Sequence, residues 1–390
     1  MNLIRLAIPL VLGMVLLEVV WGAARQRAVY GFVDSLADLG CAVMSQVVGL
    51  AVTALTVGAY AVTVDALVPW RPVLAVTTGV WIGTFLAVDL GQYLLHRLSH
   101  RVNLLWACHA VHHSSEEFNY TVGLRNSSFH GFLLWFFFLP AGMVGVPWRV
   151  VAVCYGLNVL YQFWLHTRLV GRLGPFERVL NTPSHHRVHH GTDPAYLDRN
   201  FGGVLIVWDR LFGTFREESM EPTYGTTTRL ASWNPIWANF HVFALMAAAW
   251  RRAPDLGSRL GVIFGPPERL GRPAPATPPT PEPRIVRYAA AHLVFGIAAT
   301  LGLVLPSGTP GMLRLGIAVG VLVTLGVLGG LLDGRQWAIT AERGRLAILI
   351  LAGAALPADL PVRLGVVAVA VASLLLLGRP DGRARPVVAL

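Results

Sequence analysis

The chain has 390 residues, 54% of them hydrophobic and only 13% charged, where soluble globular chains carry roughly 25% charge. That balance, with a mean hydropathy of +0.57, excludes a soluble globular enzyme and implies a multi-pass, all-α membrane protein. The net charge of +10 is carried by arginine alone, since no lysine occurs; arginines flanking apolar spans read as determinants of orientation, not as a nucleic-acid surface.

Residues 3–21 form a first span, longer than a signal-peptide core and lacking a small-residue cleavage site, so it is read as retained. Arg25 and Arg27 place the following loop inside and the N-terminus outside. Residues 42–68 cross back to a turn at Pro69 and Pro72, and residues 73–95 return to the inner face, ending at His96 and His100. Residues 131–145 and 149–165, broken at Pro147, read as an apolar hairpin that either crosses fully or enters part-way.

Residues 167–284 are cytoplasmic by their arginines, among them Arg168, Arg172, Arg178, Arg187, Arg199, Arg210, Arg216, Arg229, Arg251 and Arg252. The proline-rich stretch 272–283 is an extended linker and the clearest boundary in the chain. Four apolar segments follow, 286–305, 312–332, 338–356 and 362–377, with arginines in the loop 333–345 and the tail 379–385. The expected organisation is a membrane-embedded catalytic unit over 1–271, a linker over 272–284 and a C-terminal helical bundle over 285–390. Cys41, Cys108 and Cys154 lie in apolar contexts without CxxC spacing and imply no disulfide framework. The high Ala, Gly, Val, Leu and Arg content reads as the coding bias of a GC-rich bacterial genome, hence a cell inner membrane.

Eight histidines fall into three clusters: His96 and His100 (HRLSH), His109, His112 and His113 (HAVHH), and His186, His189 and His190 (HRVHH). On a helix, positions i, i+3 and i+4 share a face, so each cluster is expected to present a comb of imidazoles pointing one way. Buried imidazoles without partners are costly, and neutral imidazole is a common ligand of iron, zinc and copper. The set therefore points to a metal centre, the plain alternative being a chain of structural histidines. Four imidazoles satisfy one tetrahedral ion, so eight or more favour two. No ExxH pair suggests a carboxylate-bridged bundle and no HExxH a zinc protease. An all-imidazole pair with open positions suits dioxygen activation by non-haem iron better than hydrolysis, while ligand type alone leaves zinc and copper open.

Asn158, Gln162 and His166 form a polar stripe at i, i+4 and i+8 on an apolar helix. His166 is a candidate ninth ligand, with Asn158 and Gln162 orienting ligands or holding water. His185 would face away from the third comb and is read as a supporting or capping residue. Glu116 and Glu117 either orient an imidazole or lie in a solvated turn, and His130, His241 and His292 read as structural or interfacial. No catalytic residue beyond the metal centre and no cofactor-binding motif is evident.

The three histidine boxes, in this order and spacing, resemble those of the fatty acid hydroxylase / sterol desaturase superfamily. The stretches HAVHHSSEEFNYTVGLRNS, LNVLYQFWLHTRLVGRLGPFERVLNTPSHHRVHHG and DRNFGGVLIVWDRLFGTF are similar to its alkylglycerol monooxygenase-like, ether-lipid-cleaving branch, over roughly residues 1–240. The resemblance implies two iron ions held by the eight box histidines, dioxygen as oxidant and a membrane lipid as substrate. It also implies a donor of electrons, either tetrahydrobiopterin or a partner protein such as a reductase or ferredoxin. The implied reaction hydroxylates the carbon beside an ether oxygen, and the product collapses to aldehyde and glycerol. A sterol, fatty-acyl or carotenoid hydroxylase or desaturase would carry the same boxes; a metal transporter or sensor is the reading from another class. Arg125, Arg168 and Arg187 are expected to meet either solvent or a lipid headgroup.

Overall fold

The computed structural model describes residues 3–271, 277–305, 310–355 and 360–377; the start of the linker and the arginine tail 379–385 lie outside them. Among the described residues the chain is helical without a strand, apart from one isolated antiparallel bridge between Leu180 and Leu205. The long helices are α1 (Leu3–Ala24), α2 (Phe32–Leu67) and α3 (Thr78–Ser99), followed by the short α4 (Asn103–Ala107) and α5 (Ala110–His113). Next come the hairpin α6 (Gly131–Met143) and α7 (Trp148–Phe163), then α8 (Pro183–His189), α9 (Val207–Leu211), α10 (Pro235–Arg252) and α11 (Leu256–Phe264). Beyond the linker lie α12 (Pro283–Val304), α13 (Gly311–Leu332), α14 (Gln336–Ala355) and α15 (Leu360–Leu377). Among the described residues three helices are long and apolar enough to cross a membrane: α2, α12 and α13.

Caps and turns account for the boundaries. Thr77 accepts from Val80 N at the start of α3, Asn234 from Ile236 N and Trp237 N at α10, and Asp255 from Ser258 N at α11. Pro183 and Pro235 occupy first turns, where a missing N–H costs nothing. The α6–α7 turn passes through Gly145 at φ +92°, a left-handed conformation that favours glycine.

α2 begins ten residues before the expected span. Its 36 residues extend about 54 Å, well beyond a hydrocarbon core of roughly 30 Å. The added turns carry Asp34 and Asp38, both buried. Ser115 Oγ bonds Asp34, while Asp38 accepts from Thr121 Oγ1 at 2.8 Å and from Arg125 Nη1 at 2.9 Å. Hydropathy left these turns out because two carboxylates lower it; pairing is what lets them be buried.

α2 is the central post. It packs against α6, α10, α12 and α13, while α3 packs on α7 and α6. Leu36, Val43, Met44 and Val47 of α2 share one core with Leu293 and Leu303 of α12 and Val321 and Leu325 of α13. Helices beyond the linker thus buttress the same helix that borders the histidines. Within them, Glu342 is bonded by Tyr288 and by Arg345, which also donates to His292 Nδ1 at 3.2 Å. The remaining His292 nitrogen meets Ser373 Oγ at 3.1 Å, so His292 is a structural residue here.

The contact of α6 with α2 depends on Gly142. A Cβ there would sit 2.8 Å from Tyr60 Cζ and 2.9 Å from Val64 Cγ2. Gly142→Val is expected to lower stability by about 1–3 kcal/mol, the usual cost of overpacking; thermal unfolding in detergent beside wild type measures it.

Candidate metal centre

α3 delivers His96 from its last turn and His100 as its C-cap, α5 delivers His112 and His113, and α8 delivers His186 and His189. His109 caps the N-terminus of α5 with φ −121°, and His190 caps the C-terminus of α8. His166 follows α7 by three residues. All nine candidate ligands meet, in two groups. One is His96, His100, His109, His113 and His189; the other is His112, His166, His186 and His190. Within each group the ligand nitrogens lie within 4.8 Å of one another.

The combs do not each point one way. In both HxxHH clusters the i and i+4 members enter one group and the i+3 member enters the other: His109 and His113 against His112, and His186 and His190 against His189. A helix turns about 100° per residue, so i+3 and i+4 diverge by that angle and can serve two centres. The two clusters use the rule in opposite senses, which interleaves the groups. His113 and His190, from different groups, stack with ring centroids 4.3 Å apart.

Backbone carbonyls set the ring tautomers. His96 Nδ1 faces Phe201 O at 2.9 Å, His112 Nδ1 faces Arg125 O at 3.1 Å, and His189 Nδ1 faces Arg199 O at 2.9 Å. His166 Nδ1 faces Gln162 O at 3.1 Å. A carbonyl only accepts, so each Nδ1 carries the proton and each Nε2 presents a bare lone pair. Yet His112 Nε2 and His166 Nε2 are 3.2 Å apart, a contact that two lone pairs do not hold without a cation between them. The related Nε2 contacts are 3.0 Å for His186–His166, 3.1 Å for His190–His112 and 3.1 Å for His189–His113. Such separations match the edges of a coordination polyhedron with metal–nitrogen bonds of about 2.0–2.1 Å. His96 Nε2 and His100 Nε2 are buried without any partner in the protein. The residues present fit metal binding. Burial and mutual proximity hold His109, His113, His186 and His190 well below the ordinary imidazole range, and burial takes His166 down to about 4. The neutral, ligating form prevails.

A carboxylate absent from the sequence expectations organises this site. Asp89 of α3, fully buried, accepts from Asn158 Nδ2 at 2.6 Å, Val204 N at 2.8 Å, Leu205 N at 3.1 Å and Trp208 Nε1 at 2.8 Å. Gln162 Nε2 donates to Asn158 Oδ1 at 2.6 Å. Asn158 and Gln162 therefore tie α7 and the 201–208 segment to α3, and Gln162 touches His166 through its carbonyl. Asp209 repeats the device, accepting from Phe201 N at 2.8 Å and Gly202 N at 2.7 Å. The carbonyl of Phe201 that orients His96 is thus held from both sides. Asp198, 3.6 Å from His100 Nδ1, orients that ring. Lone aspartates in apolar runs were the available signal for Asp89.

Other candidates lie elsewhere. The His185 ring packs edge-on against Phe215 at 5.3 Å, while its carbonyl receives Asn200 Nδ2 at 3.1 Å. Glu117 pairs with Arg168 at 2.5 Å and Glu116 with Arg229 at 3.4 Å, so neither orients an imidazole. Nor do the three arginines wait for a headgroup. Arg125 is buried against Asp38, Ser114 and Val111 O; Arg187 bonds Glu218 twice as well as Thr167 O and Val170 O. The charge of each is spent inside the protein because an unpaired buried guanidinium would be costly.

Two cavities reach the histidines. The larger, about 770 Å³, touches His96, His109, His112, His166 and His186. Along α2 its lining passes from Ser45 and Gln46 to Leu50, Val52 and Val57; Gln92, Asn126, Ser127, Ser128 and His130 add polar groups, and Leu95, Tyr155, Val159, Phe163, Phe201 and Val304 largely apolar ones. The smaller, about 470 Å³, touches His100, His113, His189 and His190 and is bordered by Trp106, Thr192, Asp198, Thr226, Trp237 and His241.

Residues 81–214 match the fatty acid hydroxylase family. The chain is 38% identical over 274 residues to alkylglycerol monooxygenase of Danio rerio, covering 68% of this chain and 60% of that protein. Against alkylglycerol monooxygenase of Homo sapiens it is 44% identical over 195 residues, covering 50% and 43% respectively. Ornithine lipid hydroxylase OlsE of Rhizobium tropici is 30% identical over 154 residues, covering 37% and 43%. The chain thus spans about half the length of the curated relatives it matches. No solved structure gives a significant match.

Proposed function

We propose that this chain, whose residues 81–214 match the fatty acid hydroxylase family, is a membrane-bound di-iron monooxygenase of ether lipids. It hydroxylates the carbon beside the ether oxygen of alkylglycerol-type lipids, releasing an aldehyde and a glycerol backbone. The observation that carries this reading is the larger cavity, which touches five of the nine histidines and along α2 passes from Ser45 and Gln46 to Leu50, Val52 and Val57. An amphiphile with its reacting carbon just below a polar headgroup matches that gradient. Similarity to the two named alkylglycerol monooxygenases supports the same reading.

The five-histidine and four-histidine groups would each hold one iron. Bound iron supplies the activation of dioxygen needed to attack an unactivated C–H bond. The protein's part is to position the lipid and exclude water. Ser128 Oγ, buried and without a partner, is available to a substrate hydroxyl. Leu50, Val52, Val57 and Val159 surround the chain with apolar surface. The stoichiometry is one lipid, one dioxygen, two electrons and two protons, giving a hemiacetal and water. The hemiacetal then breaks its C–O bond to yield aldehyde and alcohol, with no further oxidant. The electrons come from a pterin or a reductase-type donor, for which the smaller cavity, reaching His100, His113, His189 and His190, is the natural approach.

In this reading the catalytic unit 1–271 and the bundle 285–390 are both membrane-embedded, joined by the linker, in a bacterial inner membrane. The histidines face the cytoplasm, supported by the arginines of the 167–284 segment. A transport role would need metal sites strung along the membrane normal, whereas the two groups here touch.

The test is aerobic turnover by the purified protein in lipid nanodiscs with iron and reductant. Expected are one dioxygen consumed per lipid and a fatty aldehyde by mass spectrometry, with no product under argon or after zinc replaces iron. Hydroxylated or desaturated chains without aldehyde would reassign the enzyme to the sterol or acyl hydroxylases. Full activity with zinc and without dioxygen would end the proposal.

A further inference from the structure

Along α2, the residues lining the larger cavity run from Ser45 and Gln46 through Gly49, Leu50 and Val52 to Val57. That is about 18 Å of helix. Along this run Ser45 and Gln46 are polar, while Leu50, Val52 and Val57 are apolar. Gly49 falls about one third of the way along. Glycine within a helix costs roughly 1 kcal/mol relative to alanine. Two other glycines of this region have a cause in packing: a Cβ at Gly40 would lie 2.9 Å from Pro235 Cγ, and one at Gly131 would lie 2.9 Å from Val52 Cγ1. At Gly49 a Cβ would meet nothing within 4 Å. The space beside it is cavity, not a neighbouring helix.

We propose that Gly49 is a length-determining residue for the lipid chain, its missing side chain keeping the cavity open beyond its first third. This rests on the assignment of the cavity to a lipid tail. A long alkyl chain passes Gly49 and reaches Val57; a side chain at 49 closes that passage and leaves room for short chains only. Val57 lies at the far end of the run, so filling there trims only the longest chains.

The experiment uses the full chain with Gly49→Leu, Gly49→Phe and Val57→Trp, each checked for folding by thermal unfolding and for metal per chain. Alkylglycerols with dodecyl and octadecyl chains compete in one reaction, and lipids that co-purify with each variant are sized by mass spectrometry. The expected result is a fall of about tenfold or more in octadecyl relative to dodecyl turnover for Gly49→Leu, a smaller fall for Val57→Trp, and unchanged metal content. Should Gly49→Phe fail to fold, Gly49→Leu decides. An unchanged octadecyl-to-dodecyl ratio in a folded, metal-loaded Gly49 variant overturns the proposal. If the wild-type protein turns over no alkylglycerol, the proposed activity fails by itself, and the co-purifying lipids then decide: a shift to shorter chains in the Gly49 variants sustains the length role, and an unshifted distribution overturns it.

Discussion

His112→Ala and His189→Ala, one substitution in each histidine group, should each strip metal from the protein and lower turnover by more than about a hundredfold. Residues that merely support metal ligands already cost 10–100-fold when removed, and a direct ligand exceeds them. The groups are interleaved, since His112 Nε2 contacts both His166 Nε2 and His190 Nε2, while His190 stacks on His113 of the other group. Loss at either group is therefore expected to lower occupancy at both. Iron per chain and turnover are measured together. His185→Ala is the control: it sits beside His186 in sequence, but its ring lies on Phe215, so metal content should stay near the wild-type value. Partial and independent losses for the two ligand variants would mean two unconnected sites and remove the basis for a shared centre.

Asp89→Ala should be the most destabilising single change. It leaves Asn158 Nδ2, Val204 N, Leu205 N and Trp208 Nε1 without their acceptor. A buried donor left unsatisfied costs about 1–3 kcal/mol, so even partial relaxation leaves a loss of roughly 4 kcal/mol or more. Slackening of the 201–208 segment would also release the Phe201 carbonyl that fixes His96, lowering metal affinity with stability. Thermal unfolding of the metal-free protein isolates the first effect, and metal titration the second. Asp89→Asn keeps one acceptor oxygen and should fall between alanine and wild type. Unfolding of Asp89→Ala within about 1 kcal/mol of wild type would show that the four donors find water or other partners.

The long apolar helices and the nine histidines were legible because both are compositional extremes. An apolar run of membrane length has few other uses, and imidazoles clustered in such a chain need a partner. Their sorting into five and four was not legible, since it depends on how α5 and α8 are rotated about their axes. Arg125 shows the other limit. As an arginine after the second histidine cluster it reads as meeting either solvent or a lipid headgroup, yet it lies buried on Asp38, 87 positions earlier in the chain.

The sequence by itself determined that the chain is helical, that it carries membrane-length apolar helices and that its histidines gather at helix ends. These follow from periodicity, composition and rarity, which are local properties. Only the tertiary structure decided which imidazole belongs to which group, and that the carboxylate of Asp89 holds the segment orienting them. Only it showed that Gly49 faces open space while Gly142 faces a packed helix. Each of these depends on partners far away in the chain, and a buried lone pair or an empty volume leaves no local mark in sequence.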